Sequence, residues 1–389
     1  MRIVLLVIDS GGIGTAPDSE AFGDGGANTI GHTAQAVPSL SLPHLAAMGL
    51  SALVTLPGTP AVPLQGVAYP VYPKAAGKDT LAGHWEMMGL TVTIPFRTFP
   101  HGFDAAIIDK LSSAFGRPVL GNEVASGTEI IARLGEQHMA TGWPIVYTSA
   151  DSVLQIAAHE DIVPLPQLYT WCQSARDIMQ GPWLVGRIIA RPFIGIPGQF
   201  VRTAHRHDFS VSPTSATQVD ALQEAGVRTI AVGKIGDIFS GRGFDVKVPT
   251  ISNQDGLEKT AAALAEWPDR QSGFIFTNLV EFDSHYGHRR DVAGYAQALK
   301  ELDNFLPKLW ALLEPGDQLW ITADHGCDPT YRGTDHTREA LPWLCYGPSL
   351  TPYVGSPRMT LGDIGATLAA LFATPQIGQG KPSSELITS

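Results

Sequence analysis

Hydrophobic positions in this chain fall into short unbroken runs separated by stretches with a helical repeat. Residues 3–8 form a continuous apolar run, the pattern of a strand buried on both faces of a parallel sheet. Further runs at 229–234, 274–283 and 318–324 read as strands, and 341–346 adds another. Between and beyond them, capped or amphipathic segments predict helices over 28–37, 40–50, 216–226, 256–267, 292–313 and 361–372. Strands alternating with helices indicate an α/β fold with a doubly wound, mostly parallel sheet. From 56 to 76, prolines and glycines rule out long regular elements.

The texture changes after residue 97. An amphipathic helix is expected at 104–115, a helix opening at Ser126 over 126–138, and a strand at 145–149 leading to Asp151. Positive charge gathers late in this block at Arg187, Arg191, Arg202 and Arg206. Candidate ligands lie before it, at Asp9, and far beyond it, from Asp283 to His336. The block is therefore read as an insertion: residues 1–97 and 213–389 form one core domain, and 98–212 form a smaller α/β cap that acts as a substrate lid.

In open α/β sheets, ligands bind beyond the carboxyl ends of the strands. Asp9, Lys234, Asp283 and Asp324 each close an apolar run, so residues far apart in sequence are expected to converge on one sheet edge. Two clusters there combine carboxylate with imidazole: Asp283-Ser-His285-Tyr-Gly-His288, and Asp324-His325 followed by His336. That donor mixture suits a borderline divalent cation such as Zn²⁺ or Mn²⁺, and two clusters suggest two metals. Asp79 or Thr80 opens a helix in Gly77-Lys-Asp-Thr-Leu-Ala-Gly-His-Trp-Glu86, whose first amides offer a seat for a phosphoryl group. Taken alone, Thr80 reads more readily as a helix cap than as a nucleophile. A hydroxyl beside a divalent metal is more easily deprotonated, and paired cations neutralise phosphoryl oxygens. Phosphoryl or sulfuryl transfer follows as the reaction class.

Composition removes other classes. The formal net charge of −11 excludes a nucleic-acid backbone as partner, which requires a basic face. No run approaches the ~20 apolar residues of a membrane span, and the opening run meets Asp9 too soon to be a signal segment. Three cysteines, Cys172, Cys327 and Cys345, lack metal-type spacing and fit a reducing cytoplasm. Cys327, two residues past His325, is read as a small packing residue rather than a soft ligand.

The motifs Asp9-Ser-x-Gly-x-Gly14, Asn28-Thr-Ile-Gly-His32, Gly77-Lys-Asp-Thr-x-x-Gly-His-Trp-Glu86, Ser149-Ala-Asp-Ser-Val-x-Gln-Ile156, Arg206-His-Asp208, Val232-Gly-Lys-Ile-x-Asp-Ile238, Phe282-Asp-x-x-x-Gly-His-Arg-Arg-Asp291 and Thr322-Ala-Asp-His-Gly326 span nearly the whole chain. Together they resemble the phosphopentomutase family of the alkaline phosphatase superfamily. The resemblance implies an enzyme with two Mn²⁺ ions that interconverts ribose 1-phosphate and ribose 5-phosphate, with 2-deoxyribose phosphates as further substrates. It implies that Thr80 is phosphorylated, that Asp9, Asp324 and His325 hold one metal, and that Asp283, His288 and His336 hold the other. His285 is the competitor of His288, and the family pattern favours His288. Asp151 falls where the lid touches the sugar, and Lys234 with some of Arg191, Arg202 and Arg206 matches phosphate contacts. Glucose 1,6-bisphosphate or a pentose bisphosphate is implied as activator, and small sugar phosphates as the partners. Gly12 departs from the pattern, standing where a larger apolar residue is common. The rival readings are a phosphatase or phosphodiesterase on the same core, and a metal-stabilised binding protein without turnover.

Overall fold

The strand Arg2–Ile8 is buried from its second residue onward and lies inside an eight-stranded sheet. Across the sheet the order is Val246–Val248, Arg228–Val232, Gly273–Leu279, Arg2–Ile8, Gln318–Ala323, Leu341–Tyr346, Val67–Val71 and Tyr353–Val354. The first five strands pair in parallel; only the two joints flanking Leu341–Tyr346 are antiparallel. This computed structural model describes residues 1–149, 151–268 and 271–387, in two units: Met1–Ile94 with Pro213–Ser389, and Pro95–Ser212.

In the first unit, Val4, Leu6 and Ile8 pack in one cluster with Ile30, Leu45, Leu299, Leu302 and Leu306. Helix Val292–Trp310 supplies the last three at the three-to-four-residue spacing of one helical face. Each buried leucine contributes roughly 1.5–3 kcal/mol, which outweighs the Pro307 near the helix end. Ile3, Leu5 and Val7, on the opposite face of the strand, are equally buried. Ile8 stands opposite both Leu279 and Ala323, so Asp9 and Asp324 leave the sheet side by side at its carboxyl edge.

Two expectations are corrected. The strand expected over 274–283 stops at Leu279, and Asp283 lies in a π-type helical turn, Phe282–Gly287. Past the sheet edge the backbone has no strand to pair with and satisfies itself locally, Ser284 N donating to Val280 O. The helix expected over 40–50 is two pieces, Pro43–Ala47 and Leu50–Leu53, divided at Gly49, whose φ of 111° is left-handed. Within 56–76, as expected, no long element forms: there is a short strand, Val67–Val71, whose Pro70 pairs opposite Pro342.

The unit Pro95–Ser212 carries its own sheet, ordered Leu120–Val124, Ile145–Thr148, Val153–His159, Arg187–Ile194 and Val201–Arg202, with His207–Ser210 also pairing with Arg187–Ile194. Helices Ala105–Phe115 and Leu165–Ile178 share one core through Ile107, Leu111, Leu168 and Trp171. Helix Gly127–Thr141 packs Ile130 and Ile131 into a second, with Tyr147 and Phe193. No helix among the described residues is long and apolar enough to cross a membrane.

Candidate metal centre

Asp9 and Asp324 follow adjacent parallel strands and are both buried. Ser10, at φ 78°, turns the chain between them: its amide donates to Asp324 Oδ1 at 3.1 Å, and its hydroxyl to Asp283 Oδ1 at 2.7 Å. Tyr295 secures that turn by donating to Ser10 O at 2.7 Å. Beyond His325 the chain loops out and returns, pinched by reciprocal backbone bonds between Gly326 and Thr337, which brings His336 back.

The three histidines are oriented alike. Nδ1 of His325 faces Gly326 O at 3.1 Å, Nδ1 of His288 faces Thr334 O at 2.6 Å, and Nδ1 of His336 faces Lys78 O at 2.9 Å. A ring that donates Nδ1–H to a carbonyl presents Nε2 as a ligand, the usual arrangement behind metal-bound histidine. The Nε2 atoms converge: His325 lies 3.4 Å from Asp9 Oδ1 and 3.3 Å from Asp324 Oδ2, His336 3.2 Å from Asp283 Oδ1, and His288 3.3 Å from Asp283 Oδ2. His336 and His288 face one another through Nε2 at 3.1 Å.

Among the described residues three ligand groupings result: Asp9 with Asp324 and His325, Asp283 with His325 and His336, and Asp283 with His288 and Cys327. His325 thus stands in two of them, and Cys327 enters where the sequence reading kept it as packing only. His285 belongs to none among the described residues; its ring lies by Ser284 Oγ at 3.2 Å.

Electrostatics point the same way. Burial pushes the Asp9 carboxyl up, reinforced by Asp324. Burial also opposes ionisation of Asp324, but His325 and the hydrogen bond from the Ser10 amide overcome it and hold that carboxyl down at about 2. Burial works against a charged His288, yet Asp283 and Cys327 lift its ring to about 12. A proton on that Nε2 occupies the place a cation would take. Asp9 Oδ1 and Asp324 Oδ2 are buried and accept no hydrogen bond from the described residues. Such atoms are costly unless a cation replaces the missing donors, so donor set and orphaned oxygens together fit divalent metal.

Thr80 opens helix Thr80–Met87, capped by Asp79, whose side chain accepts from Ala82 N at 3.1 Å. Its Oγ1 is 3.3 Å from His325 Nε2, which places the hydroxyl beside the cluster. The segment leading into it is clamped from two sides. Buried Glu86 accepts from Lys74 N and Leu361 N, both at 2.9 Å, and from Thr360 Oγ1 at 2.7 Å. Buried Arg338 donates to Ala75 O at 2.8 Å and Gly77 O at 3.3 Å.

Other residues that sequence reasoning left without a role brace the ligand loops. Asp328 accepts from Asn28 N at 2.9 Å and contacts His32 Nδ1 at 2.6 Å, so the Asn28–His32 motif buckles down the loop that carries His336. Glu339 accepts from Thr29 and Thr337 hydroxyls, both at 2.6 Å, and from the Thr29 amide at 2.9 Å. A Cβ on Gly12 would lie 2.1 Å from the Glu339 carboxylate, which is why this chain has room only for glycine there.

Arg191, Arg202 and Arg206 line a cavity of about 480 Å³ in the Pro95–Ser212 unit, together with Thr128, Phe200 and Thr203. Burial lowers the Arg191 pKa, and Arg206 and Arg202 add to it through repulsion. Arg206 is paired with Asp208 at 2.7 Å, and Asp151 lies 3.5 Å from Arg187. Lys234 follows the Arg228–Val232 strand after Gly233 and opens the turn Ile235–Ile238.

The model of the Metalloenzyme superfamily matches residues 1–376. A phosphopentomutase of Caldanaerobacter subterraneus subsp. tengcongensis is 50% identical over 382 residues, covering 97% of this chain and 96% of that protein. Another, of Symbiobacterium thermophilum, is 51% identical over 393 residues, covering 99% and 98%. The chain belongs to the phosphopentomutase family. A third relative of that name, from Anaeromyxobacter sp. (strain K), is 51% identical over 373 residues, 95% of each chain. As a phosphopentomutase family member the protein is an enzyme, a mutase of pentose phosphates on a divalent-metal α/β core.

Proposed function

We propose that the protein interconverts ribose 1-phosphate and ribose 5-phosphate, and their 2-deoxy counterparts, through phosphorylated Thr80 and a pentose 1,5-bisphosphate. The observation that carries this reading is the Thr80 hydroxyl set 3.3 Å from His325 Nε2, at the rim of a buried set of carboxylates and imidazoles. In this reading Asp9, Asp324 and His325 hold one Mn²⁺, and Asp283, His288 and His336 the other. When bound, the ions supply charge neutralisation of phosphoryl oxygens and acidify a neighbouring hydroxyl.

The chain's own residues do the rest. Asp79 and the clamp of Glu86 and Arg338 fix the start of the Thr80 helix, so its hydroxyl meets a phosphoryl group in one orientation. The first amides of that helix face an incoming anion. Phosphothreonine 80 gives its phosphoryl group to the free hydroxyl of a pentose monophosphate: the Thr80 O–P bond breaks, a sugar O–P bond forms, and the hydroxyl proton passes to Thr80. The bisphosphate then returns its other phosphate to Thr80 by the reverse step. Glucose 1,6-bisphosphate or a pentose bisphosphate primes the first cycle. Asp151, Arg191, Arg202, Arg206 and Lys234 are the proposed sugar-phosphate contacts, and the cytoplasm the proposed location.

The test is Thr80→Ala. Purified protein with Mn²⁺ and a bisphosphate primer is digested, and the peptide containing residue 80 is weighed for phosphate while ribose 1-phosphate formation is followed. Wild type should carry the phosphate and turn over; Thr80→Ala should do neither while keeping its metal. Turnover by Thr80→Ala would remove this threonine from the mechanism. Release of inorganic phosphate faster than isomer by the wild type would make the enzyme a phosphatase.

A further inference from the structure

His84, one helical turn after Thr80, is wholly buried and takes part in none of the steps above. Its Nδ1 lies 2.9 Å from Thr80 O and 3.2 Å from Asp324 Oδ2, the second being a contact without hydrogen-bond alignment. Its Nε2 lies 3.4 Å from Asn278 Nδ2, and that same nitrogen donates to Asp9 Oδ2 at 3.1 Å. Phe276 stacks on the ring at 5.7 Å between centroids and fixes its plane. Asn278 and Phe276 come from the strand Gly273–Leu279, which pairs directly with the strand preceding Asp9.

Hydrogen positions follow from the partners. A carboxylate only accepts, so the Asn278 amide must turn its nitrogen toward Asp9, which leaves Oδ1 as the buried atom without a partner. The second hydrogen of that amide then points to His84 Nε2, which offers a lone pair. Nδ1 keeps its hydrogen and gives it to Thr80 O. A single tautomer satisfies the whole chain of contacts from Asp9 to the backbone of Thr80.

We infer that His84 and Asn278 are positioning residues that lock the Asp9 carboxylate to the helix bearing Thr80, so that metal affinity at this position and the placement of the nucleophile are set together. The inference rests on the reading that Asp9, Asp324 and His325 hold a divalent cation. Partners of this kind change metal affinity or activity by roughly 10- to 100-fold when removed.

Mn²⁺ binding to the full-length apoprotein, read from the electron paramagnetic resonance of free Mn²⁺, separates the roles. Asp9→Ala identifies the equivalent bound at this position by losing it. His84→Gln and Asn278→Leu should weaken that same equivalent by roughly 10- to 100-fold and leave the other unchanged. His84→Asn, whose amide can stand in for Nδ1–H toward Thr80 O, should recover much of the loss and of kcat, with KM little moved throughout. Should His84→Gln not fold by near-ultraviolet circular dichroism, Asn278→Leu carries the same test. Wild-type Mn²⁺ affinity in the folded variants, beside an Asp9→Ala that loses its equivalent, overturns the inference alone. Full Mn²⁺ content in Asp9→Ala overturns the metal assignment and this inference with it.

Discussion

Gly83→Ala adds one methyl group at the tightest joint between nucleophile and ligands. Gly83 lies in helix Thr80–Met87, and a Cβ there would stand 2.3 Å from Asp324 O and 2.7 Å from Asp324 Cβ. The obstructing oxygen is backbone, in a segment fixed by the Gly326–Thr337 pinch and by Ser10, so it cannot swing aside. Bringing the closest contact out to 3.0 Å requires a separation of about 0.7 Å between the Thr80 helix and the Asp324 segment. Two effects on stability oppose each other: alanine gains ~0.8–1 kcal/mol over glycine inside a helix, and overpacking costs ~1–3 kcal/mol. The net change should be a loss of no more than ~2 kcal/mol, leaving the protein folded. Geometry suffers more, because a misplacement near 1 Å at a reacting group can reduce rate ~100-fold. Steady-state turnover with saturating Mn²⁺, beside thermal melts of the same samples, should show kcat falling by one to two orders of magnitude with a Tm lowered by a few degrees. Wild-type kcat in a folded Gly83→Ala protein would show that the distance between helix and metal ligands does not govern catalysis.

Asp283→Ala and His336→Ala should each lose one metal equivalent by elemental analysis while retaining the fold; full occupancy would strike that residue from the ligand set. Glu339, which braces the ligand loops, supplies a pH test. Burial raises its pKa from 4.5 to about 7 although hydroxyls and amides of Thr29, Thr337 and Gly14 favour the ionised form. Because the folded value exceeds the unfolded one, the folded protein holds the extra proton between pH 4.5 and 7, and this group's contribution to stability declines as pH rises through that window. A shift of that size corresponds to roughly 3 kcal/mol, reached above pH 7. Urea melts from pH 5 to 8 should therefore show Glu339→Gln gaining on wild type as pH rises, and a constant difference would contradict the assignment. Ser10→Ala, which removes the hydroxyl bond to Asp283, should weaken Mn²⁺ binding without altering helix content; unchanged affinity would reduce Ser10 to a turn residue.

The parts of the site that could be read from sequence are those where strand pattern and ligand chemistry coincide. Asp9 and Asp324 close buried, largely apolar strands, and a parallel sheet leaves their position little freedom. Thr80 was legible as a helix start because Asp79 caps it. Asp283 was placed on a strand because apolar Phe282 extends the run, yet Phe282 is buried against Tyr295 of the next helix rather than in the sheet. Ser10, Glu86 and Glu339 gave no signal, since a single polar residue inside a motif does not announce that its partners lie hundreds of positions away. In the inserted unit, Val201–Arg202 and His207–Ser210 are too short to show an alternating pattern, and their identity as strands depends on Arg187–Ile194 beside them.

The neighbours of Arg2–Ile8 are synthesised long after it: some 260 residues separate Ile8 from Gly273, and more still from Gln318. At roughly 5–20 residues per second, that sticky ribbon waits for more than ten seconds before either flanking strand can pair with it. Nascent chains should therefore lean on a holding chaperone, and a stall in translation before the Gly273 strand should leave aggregates rather than a soluble fragment.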